Sequence, residues 1–239
     1  MTWRRRATGP PARSPAFWRW MILAGLVLVQ LGCEGPGLLG SVSGPRADPE
    51  GAWRARQAWL TRLTGWEVGG RMAVRTADDA LTASLHWRQQ ETGFDIQLGG
   101  PLGRGAMRLH GDGSRVVLRT ADGKVGVAAS AETMLRERTG LEVPISVLRY
   151  WVVGLPSPDW PIGGLEIDRS GLLRALRQGA WRLHVTRYGR YGPSGTVVLP
   201  EKLKMEGAGM SVRMILKHWR IDGPNPPNAG ARRSVRDRG

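Results

Sequence analysis

The sequence predicts a mainly β protein, a curved antiparallel sheet with short helices laid across it. Three observations support this fold class. Apolar and polar residues alternate over much of the chain from Trp66 to Leu216, short turn signals separate the alternating stretches, and two helical segments interrupt them between Ser130 and Gly154. Such alternation is typical of antiparallel strands that have one face in a core and the other in water.

The segment before the single cysteine, Cys33, has the pattern of a bacterial lipoprotein export signal. A leader with five arginines precedes the apolar run 21–31, and Gly32 stands directly before the cysteine. This run is about half the roughly 20 residues of a membrane-spanning helix. We therefore expect residues 1–32 to be a signal peptide. The alternative, a short buried core helix, is disfavoured by the charged and proline-rich leader.

Lipidation of Cys33 would hold the mature protein on a membrane without spanning it. No other cysteine remains, so disulfides cannot stabilise the fold and an apolar core has to do so. Glu34, directly after the cysteine, is chemically close to the aspartate that commonly retains lipoproteins at the inner membrane. The signal therefore predicts an anchor at Cys33 and leaves the choice of membrane open.

Composition divides the remainder of the chain into three parts. Residues 33–47 are a flexible linker, residues 48–222 are enough for one domain, and residues 223–239 are a basic tail predicted to be disordered. Without the five signal arginines the formal net charge falls from +15 to +10. Export argues against a nucleic-acid partner. Anionic lipid headgroups or an acidic protein face are the expected partners, and arginines that merely solvate the sheet explain the charge equally well.

The domain begins with a helix and continues with hairpins. Asp48-Pro49-Glu50 combines an N-cap acid, a proline and a second acid, and helical spacing continues toward Gly65. From Trp66 the period changes to two, and turn residues at 77–79, 91–93, 111–113 and 121–123 separate successive hairpins. The apolar positions of the first strands are Val68, Met72, Val74, Leu81, Ala83, Leu85, Trp87, Phe94, Ile96 and Leu98.

Two short helices then interrupt the strands. Ser130 can cap a helix that runs through Thr139 and stops at Gly140, and Pro144 opens a second one. Residues 172–178 fit a helix or a strand, and the break at Gly179 favours the strand. Further strand signals lie at 181–185, 196–199, 203–205 and 212–216.

Motifs for catalysis are missing from the sequence. It contains neither a Gly-x-Ser-x-Gly elbow nor a Gly-x-x-x-x-Gly-Lys phosphate loop. The four histidines, His86, His110, His184 and His218, stand singly without metal-ligand spacing. We therefore expect no enzyme activity, no metal and no cofactor.

Several blocks of residues resemble the LolB family of outer-membrane lipoprotein receptors, and together they cover nearly all of the domain. The most specific is Trp151-Val152-Val153-Gly154-Leu155-Pro156. The other blocks are Gly70-Arg71-Met72-Ala73, Leu85-His86-Trp87-Arg88-Gln89, Gly100-Pro101-Leu102-Gly103 and Leu199-Pro200-Glu201-Lys202-Leu203-Lys204-Met205.

This resemblance implies an open antiparallel β-barrel, or half-barrel, whose short helices cover an apolar cavity. It implies a monomer that accepts the acyl chains of lipoprotein cargo from a periplasmic LolA-like carrier and inserts the cargo into the outer membrane. The protein would sit on the inner leaflet of the outer membrane, anchored by Cys33. In the family, the leucine of the Pro-Leu-Gly loop protrudes and is needed for insertion, which assigns this role to Leu102 between Pro101 and Gly103.

The residues themselves leave alternatives open. The predicted cavity lining is Trp87, Phe94, Ile96, Leu98 and Met107 of the sheet, covered by Leu148, Trp151 and Val152. An ordinary close-packed core would explain these residues too. Leu102 can sit at the tip of a type I turn or fold back onto the domain. Two other functions also remain: a general periplasmic lipid-binding or chaperone-like lipoprotein without carrier-dependent transfer, and a structural surface protein.

Overall fold

The computed structural model describes residues 47–100, 105–140, 142–192, 194–224 and 226–227. Within these ranges, three helices and eleven strands follow one another. The helices are α1 (Pro49–Leu60), α2 (Ala131–Thr139) and α3 (Ile145–Trp151). The strands are β1 (Gly65–Arg75), β2 (Ala80–Gln90), β3 (Gly93–Gly99), β4 (Met107–Gly111), β5 (Val116–Thr120), β6 (Val125–Ala128), β7 (Ile162–Ile167), β8 (Leu173–Gln178), β9 (Trp181–Tyr191), β10 (Val197–Gly207) and β11 (Met210–Asp222).

All eleven strands belong to one antiparallel sheet. Its order is β6-β5-β4-β3-β2-β1-β11-β10-β9-β8-β7, so β1 pairs with β11 at the centre and the described part of the sheet ends at β6 and β7. The predicted mainly β fold and the open antiparallel sheet are confirmed. No helix of the described residues is long and apolar enough to cross a membrane.

The helix ends follow from local chemistry. The Asp48 carboxylate accepts a hydrogen bond from the Gly51 amide at 2.8 Å, and the Ser130 hydroxyl accepts one from the Thr133 amide at 3.1 Å. Gly140 ends α2 with φ +69°, a conformation that favours glycine. These predicted caps are confirmed. Helix α1 ends before the predicted Gly65, because pairing with β11 already begins where the Thr64 amide donates to Asp222 O at 3.0 Å.

Three strands differ from simple alternation. The segment 172–178, which fitted a helix or a strand, forms strand β8 from Leu173 onward. Strand β7, mostly exposed and with glycines at 163 and 164, was not predicted from the sequence. The signals at 196–199 and 203–205 belong to a single strand, β10, in which the register shifts after Pro200. A bulge accommodates the proline there, because its nitrogen cannot donate to the ladder.

The two faces of the sheet have different chemistry. Helices α2 and α3 and the inward side chains of the strands share one apolar core. The outward positions carry mainly charged and polar residues, among them all four histidines, of which His110, His184 and His218 are exposed. Leu81 is an exception to the predicted pattern, since it is 43% exposed at the start of β2.

Candidate functional site

The structure brings all eight predicted lining residues to the apolar side of the sheet. Trp87, Trp151 and Val152 are at most 1% exposed, and Ile96 and Leu148 are also buried. The remaining three, Phe94, Leu98 and Met107, are half-buried and pack against the same core. In this conformation side chains fill most of the interior, and a cavity of about 230 Å³, lined in part by Phe94, remains between α2, α3 and the sheet. Trp87, Trp151 and Val152 have almost no accessible surface.

Two groups of aromatic rings occupy this interior. Trp66 lies 5.1 Å from Trp87 and 5.5 Å from Trp219, measured between ring centroids. Trp151 of α3 lies 6.0 Å from Trp160 and 6.1 Å from Trp181. Tilted and edge-on contacts are the arrangements that aromatic pairs prefer, and these rings give the interior a large apolar surface.

Gln178, at the end of β8, is fully buried and holds α3 to the sheet. Its Oε1 accepts hydrogen bonds from Trp151 Nε1 and from the Ser157 amide, both at 2.9 Å. Its Nε2 donates to Ser157 O at 2.9 Å and to Trp160 O at 2.7 Å. The amide group thus has four partners, and a buried polar group with all its partners fixes one arrangement of the elements around it.

Gln89 makes a similar arrangement inside β2. Its Oε1 accepts a hydrogen bond from Trp87 Nε1 at 3.3 Å, and its Nε2 donates to Glu91 O at 2.9 Å and Gly93 O at 3.0 Å. The sequence analysis missed both glutamines. A signal was present for Gln89, because it continues the inward register of Leu85 and Trp87 and therefore points into the core.

Helices α2 and α3 are linked by the carboxylate of a glutamate on α2. Pro144 at the N-cap of α3 provides no side-chain hydrogen bond. The Oε1 atom of Glu132 in α2 accepts a hydrogen bond from the Ser146 amide at 2.7 Å and caps α3 instead. Helix α2 also lies against β5 and β6. The two helices are therefore coupled to each other through one polar contact, in addition to their apolar packing.

The outer face of the sheet carries paired charges around two carboxylates. Glu67 accepts hydrogen bonds from Arg220 at 2.6 Å and Arg88 at 3.2 Å, and His86 lies 3.3 Å away. Burial raises the pKa of Glu67, but the two arginines more than offset this, and the pKa lies below its ordinary value. Asp95 is paired in the same way with Arg108, at 2.6 Å. These pairs hold neighbouring strands together, on the face opposite the predicted lining.

Several predicted sites lie outside the described residues. These are Cys33 with the whole segment 1–46, and the insertion loop Pro101, Leu102 and Gly103. The loop joins β3 to β4, and beside it the Ala121 amide donates to Ala106 O at 2.8 Å. Among the described residues there is no cluster of three or more His, Cys, Asp or Glu side chains that could hold a metal ion.

The sequence profile of the family described as Outer membrane lipoprotein LolB matches residues 64–219 of the chain. The chain belongs to the LolB family. Two relatives described as Outer-membrane lipoprotein LolB come from Pseudomonas fluorescens, 36% identical, and Pseudomonas putida, 37% identical, each over 85% of this chain and 96% of the relative. A LolB relative from Nitrosococcus oceani is 36% identical over 74% of this chain and 87% of its own length.

The solved structures that the chain matches have much lower sequence identity. A LolA superfamily protein from Nitrosomonas europaea has a TM-score of 0.45 at 7% identity, over 74% of this chain and 94% of that protein. A DUF1329 family protein from Desulfovibrio piger has a TM-score of 0.47 at 9% identity, over 73% and 94% of the two chains. The LolB assignment rests on the sequence relatives and on the family profile.

Proposed function

We propose that this protein is an outer-membrane lipoprotein receptor that accepts lipoproteins from a periplasmic LolA-like carrier and inserts them into the outer membrane. Membership of the LolB family supports both the role and the location. The structural observation that supports it best is the apolar interior between the open sheet and helices α2 and α3. Its aromatic rings provide apolar surface that would replace water around acyl chains once the helical cover moves.

Acyl chains enter by displacing the helical cover from the sheet. Helices α2 and α3 move together, because Glu132 of one caps the other through the Ser146 amide. The Gln178 amide sets the closed position through its hydrogen bond to Trp151. Cargo chains then take over the contacts that the cover loses. Each CH₂ group sheltered from water contributes about 0.8 kcal/mol, so bound chains can offset the cost of separating the two layers.

Transfer in this proposal needs no energy source at the receptor. The cargo moves from carrier to receptor to bilayer as long as each step shelters its chains better than the one before. The loop of Pro101, Leu102 and Gly103 contacts the bilayer in the last step, and Cys33 anchors the protein to the inner leaflet. The receptor acts as a monomer in this proposal, because the described residues of one chain supply both the sheet and its helical cover.

A transfer assay tests this function. Carrier loaded with radiolabelled lipoprotein is mixed with the chain carrying Cys33→Ser, and we expect the label to move to the receptor. Leu98→Lys places a charge on the apolar side and should reduce acceptance at least ten-fold. Gln97→Lys, one residue away on the outer face, is the matched control and should accept like the parent.

Two results would contradict the proposal. If the label stays on the carrier while the receptor binds a fluorescent fatty acid, the protein is a general lipid-binding lipoprotein. If Leu98→Lys and Gln97→Lys accept cargo equally well, the apolar side of the sheet is not the acceptor. Circular dichroism of both variants verifies that they fold.

A further inference from the structure

A second cavity, of about 450 Å³, lies beside α1 and away from the predicted acyl-chain interior. It is bounded by α1, by the loops before β8 and β10 and by the residues after β11, and none of its lining residues is among the eight predicted for acyl chains. Its polar lining includes the side chains of Arg56, Arg190, Ser170 and Thr196. The volume is at the lower end of the range for small-molecule sites, about 300–1,000 Å³.

Arg56 is the unusual residue of this cavity. It is only 8% exposed, and its Nε and Nη2 atoms are buried without a hydrogen-bond partner among the described residues. Its guanidinium lies 5.9 Å from the ring of Trp59 and 5.6 Å from the ring of Tyr188. Aromatic rings stabilise the charge but accept no ordinary hydrogen bonds from these donors. A buried guanidinium with unused donors is costly. Because Nε and Nη2 have almost no accessible surface, the Nη1 edge of Arg56 is the part that can meet a ligand in the cavity.

The groups facing Arg56 do not neutralise the cavity. Asp168 lies close enough to influence Arg56, but its Oδ1 already accepts from the amides of Ser170 at 2.8 Å and Leu172 at 3.1 Å. Burial raises the pKa of Tyr188, so this side chain is neutral and donates to Leu173 O at 2.8 Å. These neighbours leave Arg56 without a direct anionic partner.

A second guanidinium adds to the positive charge. Arg190 lines the same cavity, and none of the ion pairs of the described residues includes it. Arg174, on β8, lies close enough to Tyr188 to act on it electrostatically. The charged groups that line the cavity or act on Arg56 and Tyr188 are thus three arginines and one carboxylate, Asp168. Hydroxyl groups of Ser170, Ser194 and Thr196 provide further donors around the cavity.

We propose that this cavity binds a phosphate ester, with Arg56 and Arg190 holding the phosphate oxygens. Guanidinium groups match the geometry of phosphate with paired hydrogen bonds. The apolar side chains of Trp59, Leu172 and Val198 line the same space and suit the carbon skeleton of a glycerol unit. The volume accommodates a headgroup and is too small for a pair of acyl chains as well.

The position of the cavity brings membrane headgroups within reach. The lining helix α1 begins close to Ala47, which follows Cys33 by 14 residues. A chain of this length spans at most about 50 Å when extended.

Titration calorimetry tests the site, with the full mature chain carrying Cys33→Ser and with sn-glycerol 3-phosphate and inorganic phosphate as probes. We expect binding that Arg56→Gln weakens at least ten-fold and Arg190→Gln weakens by a smaller factor. Arg54→Gln removes the same charge from an exposed position of α1 and should leave binding within two-fold of the parent. If Arg56→Gln fails to fold, Arg190→Gln is compared with Arg54→Gln instead. The proposal then requires weaker binding of the phosphate probes in Arg190→Gln than in Arg54→Gln.

Flotation with vesicles separates the two sources of phosphate. Binding to phosphatidylglycerol vesicles over phosphatidylcholine vesicles that depends on Arg56 identifies a lipid headgroup. Binding of the soluble probes that depends on Arg56, with no preference for phosphatidylglycerol vesicles, identifies a free phosphate ester. The proposal is overturned if the parent binds neither probe nor vesicle, or if Arg56→Gln and Arg54→Gln behave alike. Lipoprotein transfer from the carrier should be unchanged in Arg56→Gln, so this result is independent of the receptor function.

Discussion

Trp151 and Gln178 are joined by a hydrogen bond of 2.9 Å in the middle of the apolar interior. The pair connects α3, which covers the interior, with β8 of the sheet. The same glutamine also binds the backbone at Ser157 and Trp160, so one amide group positions the helix and the segment that follows it. Among the described residues, α3 is thus held to the sheet by apolar packing together with the hydrogen bonds of Gln178.

Replacing Gln178 should destabilise the protein strongly. Gln178→Leu removes four hydrogen bonds and leaves the Trp151 and Ser157 N–H groups buried without partners. We expect the free energy of unfolding to fall by about 2–4 kcal/mol, measured by urea denaturation. Gln90→Leu, at an exposed position at the end of β2, is the control and should change the free energy of unfolding by less than about 0.5 kcal/mol. Equal effects of the two variants would show that the buried network does not stabilise the fold.

Removing the cap of α3 should loosen the cover locally. Glu132→Ala deletes the acceptor of the Ser146 amide, which costs about 0.5–2 kcal/mol in comparable helix caps. We expect faster hydrogen exchange in the first turn of α3 and tighter binding of a fluorescent fatty acid. Glu132→Gln keeps the Oε1 acceptor and should have a smaller effect, and Glu137→Ala, exposed on α2, should have none. Unchanged exchange at Ser146 in Glu132→Ala would argue against the coupling of the helices.

The charge cluster around Glu67 should make stability depend on pH in the acid range. The folded pKa of Glu67 lies below its ordinary value of 4.5, because hydrogen bonds from Arg220 and Arg88 outweigh the opposing effect of burial. Its contribution is therefore present above pH 4.5 and is lost as the pH falls toward the folded pKa. Between pH 7 and pH 3.5 the free energy of unfolding, measured with urea, should fall less in Glu67→Gln than in the parent. An identical fall in both proteins would show that Glu67 does not contribute to the pH dependence of stability.

Leu102 should be needed for delivery and dispensable for acceptance. Leu102→Glu replaces an apolar contact worth about 1.5–3 kcal/mol, so delivery into liposomes should fall about ten-fold or more. Acceptance from the carrier should stay within two-fold of the parent. Ile215→Glu introduces the same charge at an outer-face residue that is 40% exposed and should deliver normally. Delivery at the parent rate by Leu102→Glu, or failure to accept cargo, would refute a separate insertion role.

Features set by neighbouring residues could be predicted from the sequence. The caps at Ser130 and Gly140 and the alternation through Leu85 and Trp87 depend on contacts within a few residues. This local information was sufficient for the mainly β fold and for the side of the sheet on which the predicted lining residues lie. It was insufficient for β7, where glycines and exposed positions conceal the period.

Features made by distant residues could not be predicted. The four partners of Gln178 come from α3 and from the segment 157–160, which only the folded chain brings to β8. The environment of Arg56 is also made by a distant residue, because its guanidinium lies against the ring of Tyr188, more than a hundred residues away along the chain. In an isolated sequence, a buried glutamine or arginine looks the same as a solvated one.

Photo-crosslinking tests most directly whether cargo chains enter the apolar interior. A benzophenone amino acid is placed at position 98, on the apolar side of β3, or at position 97, on its outer face, and each protein is mixed with carrier that holds a lipoprotein with labelled acyl chains. We predict that light couples labelled acyl chains to position 98 and at most a trace to position 97. Crosslinking that is equal at both positions, or confined to position 97, would contradict the account.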